Sequence, residues 1–469
     1  MNTVEITNPQ GTETLGEAGL TSPAEVAGVV EAAVAAKGAW AGLPVVERAA
    51  ILESAAATLT AQSADLGRLL AAESGKPLAQ AEFEVAGAVS LLRGNAEEGR
   101  RLVGRVLPTE GNPGTEWDLA FTRREPLGVV AAILPFNFPV ELFVEKCAAA
   151  LVAGNAVVAK PPLEDPLAVG RFAAALQEAG MPPGALGLVR GGAEVGAALA
   201  EHRGVDAISL TGSTAAGLAV ARAAAPRLGL LHLELGGNNA CLVLDDADLD
   251  LVAGEAVRGR LMMNGQACSA TKRILVPPAM LSELEERLAE AVAAQRVGPS
   301  TEPETTVGPL ITPAAAERVE GQVRRAREQG ARLAAGDGRA DGPFFGPCLL
   351  SGVPSGADVA RDEEIFGPVF CLIPAADEVE AVRVANASSF GLMASVFSGD
   401  PRRALRVAER LEVGGVVING SDNYRPPVIP FGGVKLSGAG REGLGYTIRE
   451  LSREKAIVMR RFRAPAEGS

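Results

Sequence analysis

Residues 207–217 read Ala-Ile-Ser-Leu-Thr-Gly-Ser-Thr-Ala-Ala-Gly, and this stretch decides the fold that we predict. Its first four residues form a short apolar run with the length of a buried strand, and a helix is predicted after Gly212 to about residue 225. A buried strand that turns into a helix is part of a strand–helix–strand unit, which places strands in parallel with helices on both faces. The stretch therefore predicts an α/β fold.

The same alternation extends in both directions along the chain. Short apolar strands are predicted at 129–134, 156–159, 185–189 and 231–235. A helix is predicted to begin at Pro166, with Asp165 as its N-cap. Residues 240–245 begin a second α/β unit, with further strands predicted at 273–276, 369–373 and 415–418. We therefore expect a parallel sheet covered on both faces, followed by a second α/β unit.

Other regions have different patterns. The first third of the chain is mostly helical, with helices predicted at 24–38 and 45–73. Residues 115–129 switch to polar and β-prone side chains, which predicts strand or hairpin outside the main core. Residues 455–462 are predicted to form a final strand.

Composition excludes several kinds of partner. The 469 residues include 44 basic and 57 acidic side chains, a net charge of −13, which disfavours a nucleic-acid partner. Only two histidines are present, His202 and His232, so we expect no His-ligated metal site. No apolar run has the length of a membrane span and no targeting segment is visible, so we expect no membrane partner.

Five cysteines, an odd number without Cys-x-x-Cys spacing, predict reduced thiols and a cytoplasmic location. Four of them are interpreted as small buried apolar residues: Cys147, Cys241, Cys348 and Cys371. The fifth, Cys268, ends the stretch Leu-Met-Met-Asn-Gly-Gln-Ala-Cys at 261–268. An apolar helical stretch stops there at Asn264-Gly265, which predicts a thiol on a turn beside a rigid element. Cys268 is therefore the candidate nucleophile.

Two further residues have types that suit acyl chemistry. Glu234 ends an apolar strand, where partial desolvation would raise its pKa and make it a usable base. Asn137 stands between phenylalanines and prolines, where a rigid amide is suited to donate to an oxyanion. Each has a plainer alternative, a surface acid or helix cap for Glu234 and a turn residue for Asn137. A nucleophile, a base and an amide donor together favour acyl transfer through a thioester.

Two more features suit a phosphate-bearing ligand. Gly212-Ser213 lies between strand and helix, where backbone N–H groups at a helix N-terminus can donate hydrogen bonds to a phosphate. Lys160 ends a buried strand and is predicted to point into the crevice where parallel sheets bind nucleotides. The alternatives are an ordinary turn and a solvated lysine.

As an ordered set, these motifs resemble those of the aldehyde dehydrogenase superfamily over nearly the whole chain. The segments that carry the resemblance are Pro135-Phe-Asn-Phe-Pro139, Lys160-Pro161, Thr211-Gly-Ser213, Glu234-Leu-Gly-Gly237, Gly265-Gln-Ala-Cys268, Glu364-Ile-Phe-Gly-Pro368, Asn386, Phe390-Gly-Leu392, Pro430-Phe-Gly-Gly433, Lys435, Ser437 and Gly438.

The resemblance implies three structural parts. They are a Rossmann-type NAD(P)-binding domain (1–114 and 129–238), an α/β catalytic domain (239–448) and a small oligomerisation sheet (115–128 and 449–463). Because exposed sheet edges are a liability in a monomer, a homodimer or homotetramer is expected.

The resemblance also implies roles for the candidate residues. Cys268 would attack the aldehyde carbon, Asn137 and the Cys268 N–H would hold the oxyanion, and Glu234 would activate the water that hydrolyses the thioester. Hydride would pass to NAD or NADP. The cofactor residues implied are Lys160, Gly212, Ser213, Pro135, Glu364 and Phe366.

Two positions bear on specificity. Many members of the superfamily carry a ribose-binding glutamate three residues after the lysine, where this chain has Leu163, so we predict that NADP is tolerated. Arg425 resembles an arginine of branches that act on lactaldehyde and phosphonate aldehydes, which predicts a small polar or anionic substrate. A surface or intersubunit arginine is the alternative.

Two other functions were considered. A coenzyme A-acylating semialdehyde dehydrogenase would yield a thioester product, but such branches often lack the carboxylate present here as Glu234. A catalytically silent nucleotide-binding homologue would be expected to lack Cys268, Asn137 or Glu234, and all three are present.

Overall fold

The computed structural model describes residues 2–463. The helices are α1 (Pro23–Gly42), α2 (Val45–Ala61), α3 (Ser63–Ser74), α4 (Leu78–Arg100), α5 (Pro139–Ala153), α6 (Pro166–Glu178), α7 (Ala193–Glu201), α8 (Thr214–Ala224), α9 (Leu249–Leu261), α10 (Leu281–Ala293), α11 (Pro313–Glu328), α12 (Asp358–Arg361), α13 (Glu378–Asn386), α14 (Pro401–Ala408) and α15 (Thr447–Glu450). Short 3₁₀ segments lie at Thr109–Gly111, Ala225–Arg227 and Met262–Gly265.

The strands are β1 (Thr3–Thr7), β2 (Thr14–Gly19), β3 (Val106–Leu107), β4 (Leu119–Pro126), β5 (Val129–Ile133), β6 (Ala156–Lys160), β7 (Leu186–Leu188), β8 (Ala207–Thr211), β9 (Leu230–Glu234), β10 (Ala240–Val243), β11 (Arg273–Val276), β12 (Arg332–Ala335), β13 (Ala340–Asp341), β14 (Phe344–Phe345), β15 (Cys348–Ser351), β16 (Val369–Pro374), β17 (Phe390–Gly391), β18 (Met393–Phe397), β19 (Gly415–Ile418), β20 (Val434–Lys435), β21 (Gly438–Ala439) and β22 (Ser452–Met459). The α/β prediction is confirmed.

The first large sheet has the strand order β21-β9-β8-β5-β6-β7. Its five strands from β9 to β7 are parallel, and only β21 runs antiparallel to β9. The chain leaves β5 toward β6 on one side and returns to β8 on the other, so the order reverses between β5 and β8. Ligands bind α/β sheets at the carboxyl ends of strands beside such a reversal. The segments after β5 and β8 are therefore placed beside a crevice.

The second large sheet has the order β12-β15-β16-β11-β10-β18-β19, and only the β12–β15 pair is antiparallel. Strand β10 lies inside this sheet, and it follows β9 of the first sheet after only the five residues 235–239. The short connection brings the carboxyl end of β9 close to the second sheet.

A three-stranded antiparallel sheet joins β22 to β4 and β4 to β3. It contains strands from both segments predicted for an oligomerisation sheet, and it also includes Val106–Leu107, from the segment assigned to the cofactor domain. A second pairing crosses the predicted boundaries, because Gly438 of β21 pairs with Glu234 of β9. The division at 114, 238 and 448 stays a prediction, and β3 and β21 pair with strands across its boundaries.

Two local predictions in the helical regions are wrong. The helix predicted at 45–73 is two helices, α2 and α3, separated at Gln62. Asp165 does not cap α6, because its side chain makes no hydrogen bond to the helix and is fully buried. Glu73 of α3 accepts instead from the N–H groups of Leu167 and Ala168, at 2.9 and 2.8 Å. The capping carboxylate therefore comes from a distant part of the chain, which spacing does not reveal.

Among residues 2–463, no single helix is long and apolar enough to cross a membrane, although α1 and α2 taken together meet that measure and are bent by 112° where they join.

Candidate active site

The thiol of Cys268 lies where two cavities meet. One cavity, of about 390 Å³, is lined by Glu234, Arg425 and Phe431 among others. The other, of about 520 Å³, is lined by residues that follow β5 and β8 and by Glu364. Cys268, Asn137 and Thr211 line both cavities. Two ligands that enter from opposite sides would therefore meet at the thiol. We refer to these as the Glu234 cavity and the Glu364 cavity.

The turn before the thiol has a backbone that few sequences permit. Helix α9 ends at Leu261, and Met263, Asn264 and Gly265 then have φ of 51°, 56° and 80°. The Asn264 amide donates to Gly75 O and Pro309 O, both at 2.9 Å, and such contacts let asparagine tolerate a left-handed conformation. A Cβ at Gly265 would lie 2.3 Å from the backbone of Gly367. The predicted Asn-Gly turn is therefore present, and its rigidity fixes the thiol.

Asn137 sits in the loop between β5 and α5 and is held from both ends. Its Nδ2 donates to Gln266 O at 2.9 Å, in the turn just before the thiol. Its backbone carbonyl accepts from the buried ammonium of Lys76 at 2.8 Å, and Lys76 also pairs with the buried Glu84. A primary amide has two protons, so the second remains for a ligand in either cavity.

Glu234 is buried at the end of β9, and both carboxyl oxygens lack a hydrogen-bond partner among the described residues. Burial raises its pKa well above the usual range, and the neighbouring Glu442 raises it further. A Cβ at Gly432 would lie 2.8 Å from Glu234 Oε1, so the glycine leaves room for the carboxyl group. The desolvation predicted for this residue is present in the structure.

Arg425 lines the Glu234 cavity and takes part in a buried ionic network. Its guanidinium donates to Glu442 at 2.8 Å, and Glu442 also accepts from Lys146 at 2.5 Å. It stacks on Phe431, 4.0 Å from the ring centroid. Burial by itself would lower the pKa of Arg425, but the surrounding carboxylates outweigh burial and raise it. Arg425 is therefore a permanently charged group of this cavity.

The carboxyl groups around Arg425 differ in charge. Burial alone would raise the pKa of Glu442, but the cations of Lys146 and Arg425 outweigh it and hold the pKa below the usual range. Burial raises the pKa of Glu145, and it raises that of Glu141 to about 7. When Glu141, Glu145 and Glu234 are protonated, two cations face one carboxylate in this network. The network then has one net positive charge, and Arg425 is its cation that lines the cavity.

The Glu364 cavity contains five of the six residues predicted to bind a cofactor: Pro135, Gly212, Ser213, Glu364 and Phe366. Lys160, the sixth, ends β6 with only 9% of its surface exposed and does not line either cavity in the described chain. Leu163 does not line the Glu364 cavity, whereas Glu164 does. A carboxylate is thus present one residue beyond the position that the resemblance singled out.

Several residues of the site were missed by sequence reasoning. Lys146 and Lys272 are buried lysines, and Glu442 is a buried carboxylate. Arg318 and Gln322 of α11 line the Glu364 cavity, four residues apart on one helical face. Three charged residues among the apolar positions of α5, namely Glu141, Glu145 and Lys146, were the available signal.

Comparison with known proteins points to the same family as the sequence motifs. The model of the aldehyde dehydrogenase family matches residues 1–457. A 3-sulfolactaldehyde dehydrogenase of Priestia aryabhattai is 37% identical over 414 residues, which cover 88% of this chain and 86% of that protein.

Two solved structures are similar over almost their whole length. A succinate-semialdehyde dehydrogenase from Burkholderia pseudomallei is 40% identical with a TM-score of 0.94, covering 98% of this chain and 95% of that one. An NADP-dependent glyceraldehyde-3-phosphate dehydrogenase from Bacillus halodurans, complexed with NADP, is 36% identical with a TM-score of 0.94, covering 98% and 96%.

The environment of Cys268 predicts a thiol of low reactivity in the absence of ligands. Burial raises its pKa to about 11, although the nearby cations of Lys272 and Arg425 oppose this. The thiol is therefore protonated at neutral pH, and the thiolate fraction grows as the pH rises. We expect the rate of Cys268 alkylation by iodoacetamide, measured by peptide mass spectrometry, to keep increasing beyond pH ~9, past the range of an ordinary cysteine. A Cys268→Ser variant should lose this label, and a rate that levels off near pH ~8.5 would contradict the expectation.

Proposed function

The chain belongs to the aldehyde dehydrogenase family and oxidises aldehydes with NAD(P)⁺, and we propose that it does so through a thioester on Cys268 that water hydrolyses with help from Glu234. The observation that carries this proposal is the position of Cys268 between the Glu234 cavity and the Glu364 cavity. An aldehyde in the first cavity and a cofactor in the second would both reach the sulfur.

In this mechanism the Cys268 sulfur attacks the aldehyde carbon and forms a thiohemiacetal. Asn137 lines both cavities with a fixed amide, and the Cys268 N–H makes no hydrogen bond among the described residues. These two donors would hold the developing oxyanion without reorganisation. Bound NAD(P)⁺ supplies the hydride acceptor that no side chain provides. The product of this half-reaction on the protein is the Cys268 thioester.

Glu234 is the proposed base for hydrolysis of the thioester. Its carboxyl group is desolvated and has no competing donor among the described residues. Once ionised, a carboxylate whose pKa is raised by burial is a stronger base than a solvated glutamate, so it takes the proton from water more readily. Water then attacks the thioester carbonyl carbon. The bond from that carbon to the Cys268 sulfur breaks, which frees the carboxylate product and regenerates the sulfur of Cys268. Deacylation by water favours a free acid as product over a coenzyme A thioester.

The residues of the Glu364 cavity fit a dinucleotide. Ser213 caps α8 and lies with Gly212 at the start of that helix, where N–H groups suit a pyrophosphate. Glu364 presents a carboxylate for ribose hydroxyls, and a Cβ at Gly236 would fall 2.5 Å from its Oε2, so only a glycine leaves that oxygen open. Lys160 would approach the adenosine ribose from the carboxyl end of β6.

We infer that NADP is accepted, with Glu164 as the residue that limits its binding. Glu164 is an exposed carboxylate in the lining of the Glu364 cavity, beside the segment that follows β6. Repulsion of a 2′-phosphate by an exposed charge is weak because water and salt screen it. A structural relative of this chain is complexed with NADP, which supports the inference.

For the substrate we propose a short aldehyde that carries an anionic group. The Glu234 cavity holds the Arg425 guanidinium, whose only hydrogen bond within residues 2–463 goes to Glu442. Arg425 therefore keeps further N–H donors for a ligand. The names of the three relatives refer to aldehydes that carry a sulfonate, a carboxylate or a phosphate, and the Arg425 cation suits any of these anionic groups.

The proposed mechanism is tested by a Glu234→Gln variant. The variant keeps the size and buried position of the side chain but removes the base, so acylation should proceed and hydrolysis should slow by about 10²- to 10⁴-fold. Rapid mixing with NAD⁺ and succinic semialdehyde should give one burst of reduced cofactor per Cys268, followed by a slow phase. A Cys268→Ser control should give neither phase. Full steady-state turnover by Glu234→Gln would contradict the role of Glu234.

The substrate proposal is tested by Arg425→Met with paired aldehydes. Loss of a charge-assisted contact should raise the KM for succinic semialdehyde by about tenfold or more, and the KM for neutral pentanal should change little. Arg258→Met, which removes the exposed arginine of the same cavity, serves as the matched control and should have a smaller effect. Equal losses for both aldehydes would assign Arg425 a purely structural role.

The cofactor inference is tested by Glu164→Gln. Removal of the exposed carboxylate should raise kcat/KM for NADP relative to NAD by about two- to fivefold, as expected for a screened surface charge. Initial rates with both cofactors at fixed aldehyde give this ratio directly. An unchanged ratio, or an enzyme that ignores NADP at concentrations where NAD saturates, would contradict the inference.

A further inference from the structure

Lys272 is a buried cation that contacts both sides of the proposed reaction centre. It lies four residues after Cys268, at the entrance to β11, and its side chain is 2% exposed. Its Nζ donates to Glu364 Oε1 at 2.8 Å, on the cofactor side. It also donates to Cys268 O at 2.8 Å and Ala267 O at 3.0 Å, in the thiol loop. One ammonium thus bridges the backbone of the thiol loop and the carboxylate of Glu364.

The same ammonium also reaches the end of the segment that carries Glu234. Nζ donates to Gly237 O at 2.6 Å, and the Gly237 N–H donates to Glu364 Oε1 at 3.1 Å. Three segments that are distant in sequence therefore converge on Lys272. A purely structural buried lysine would need only enough acceptors for its ammonium group. Lys272 also links groups that the proposed mechanism uses in different steps.

The number of acceptors exceeds the number of protons. An ammonium has three N–H donors, and Lys272 has four oxygen atoms within 3.0 Å. The carboxylate of Glu364 can therefore exchange its hydrogen bond from Lys272 for one from another donor. Each N–H group of the buried ammonium would still have an acceptor. Three backbone carbonyls, which cannot move away, remain to hold the ammonium in place.

We propose that Lys272 is a positioning residue that couples occupancy of the cofactor site to the reactivity of Cys268. Without cofactor, the negative charge of Glu364 offsets the ammonium. When ribose hydroxyls donate to Glu364, that offset weakens and the field of Lys272 acts on the sulfur. The coupling rests on the proposed function, because it takes Cys268 as the nucleophile and Glu364 as the cofactor ligand.

The charges around the Cys268 sulfur would transmit this change, because they set the pKa of the thiol. The charged and titratable groups that act on it are Lys272, Arg425, Glu364 and Glu234. Lys272 is the largest influence that lowers the pKa of this thiol, and Glu364 raises it. Since Glu234 is largely neutral and Arg425 belongs to the other cavity, the Lys272–Glu364 pair is the part of this set that a cofactor can reach directly.

The experiment measures the pH dependence of Cys268 alkylation by iodoacetamide, with and without saturating NAD⁺, in the full-length protein. In the wild type, NAD⁺ should shift the alkylation profile toward lower pH. Lys272→Met, which keeps the length and removes the charge, should shift the profile without cofactor to higher pH and slow alkylation about tenfold per pKa unit. It should also reduce the NAD⁺ effect at least about threefold relative to the wild type.

A second variant keeps the test decisive if Lys272→Met folds poorly. Glu364→Gln retains an acceptor for Lys272 but removes the opposing charge, so its profile without cofactor should resemble that of the wild type with NAD⁺. Lys76→Met, which also removes a buried lysine but one with no contact to Glu364, is the matched control for loss of stability. It should retain the NAD⁺ effect.

Each outcome discriminates between explanations. An unchanged profile in both Lys272→Met and Glu364→Gln would overturn the coupling, as would a wild type whose profile does not respond to bound NAD⁺. Oxidation of succinic semialdehyde by the wild type is measured in parallel. If oxidation persists while the coupling fails, only this inference falls. If no aldehyde in a broad panel is oxidised through Cys268, the proposed function falls as well.

Discussion

The structure depends on the five-residue connection 235–239, which passes from one large sheet to the other with its backbone polar groups away from water. Buried carbonyl and N–H groups need partners, and two consecutive cations supply several of them. Lys272 donates to Gly237 O and Arg273 Nε donates to Asn238 O, at 2.6 and 2.7 Å. The Asn239 side chain links this connection to the thiol loop, because it donates to Cys268 O at 2.7 Å. The segment that fixes the two sheets relative to each other is therefore also the segment that fixes the thiol.

This connection explains why the candidate catalytic residues lie close together. The carboxyl ends of β5, β8 and β9 face the second sheet, so Asn137, Thr211 and Glu234 approach the turn that carries Cys268. Close packing removes water, and the loss of water raises the pKa of both Glu234 and Cys268. The site is thus assembled in a state that favours neutral acid and thiol, and bound ligands and nearby cations must supply the charge that activates them.

Much of this arrangement could be predicted because it follows from local patterns. Apolar runs that end in polar residues located the strands and the residues at their carboxyl ends, among them Asn137, Ser213 and Glu234. The predictions that fail concern partners distant in sequence. Asp165 stands at the N-cap position of α6, yet Glu73 is the residue that accepts hydrogen bonds from the N–H groups at the start of that helix.

The sequence by itself determined the α/β architecture and pointed to Cys268, Glu234 and Asn137 as the candidate nucleophile, base and amide donor, because periodicity and residue type act over short distances. It could not show that Arg425 shares Glu442 with Lys146, or that Lys272 joins Glu364 to the thiol loop. Those contacts join residues up to 296 positions apart. Only the tertiary structure decides them, because the charge that a buried group senses is set by which distant side chains and carbonyls pack against it.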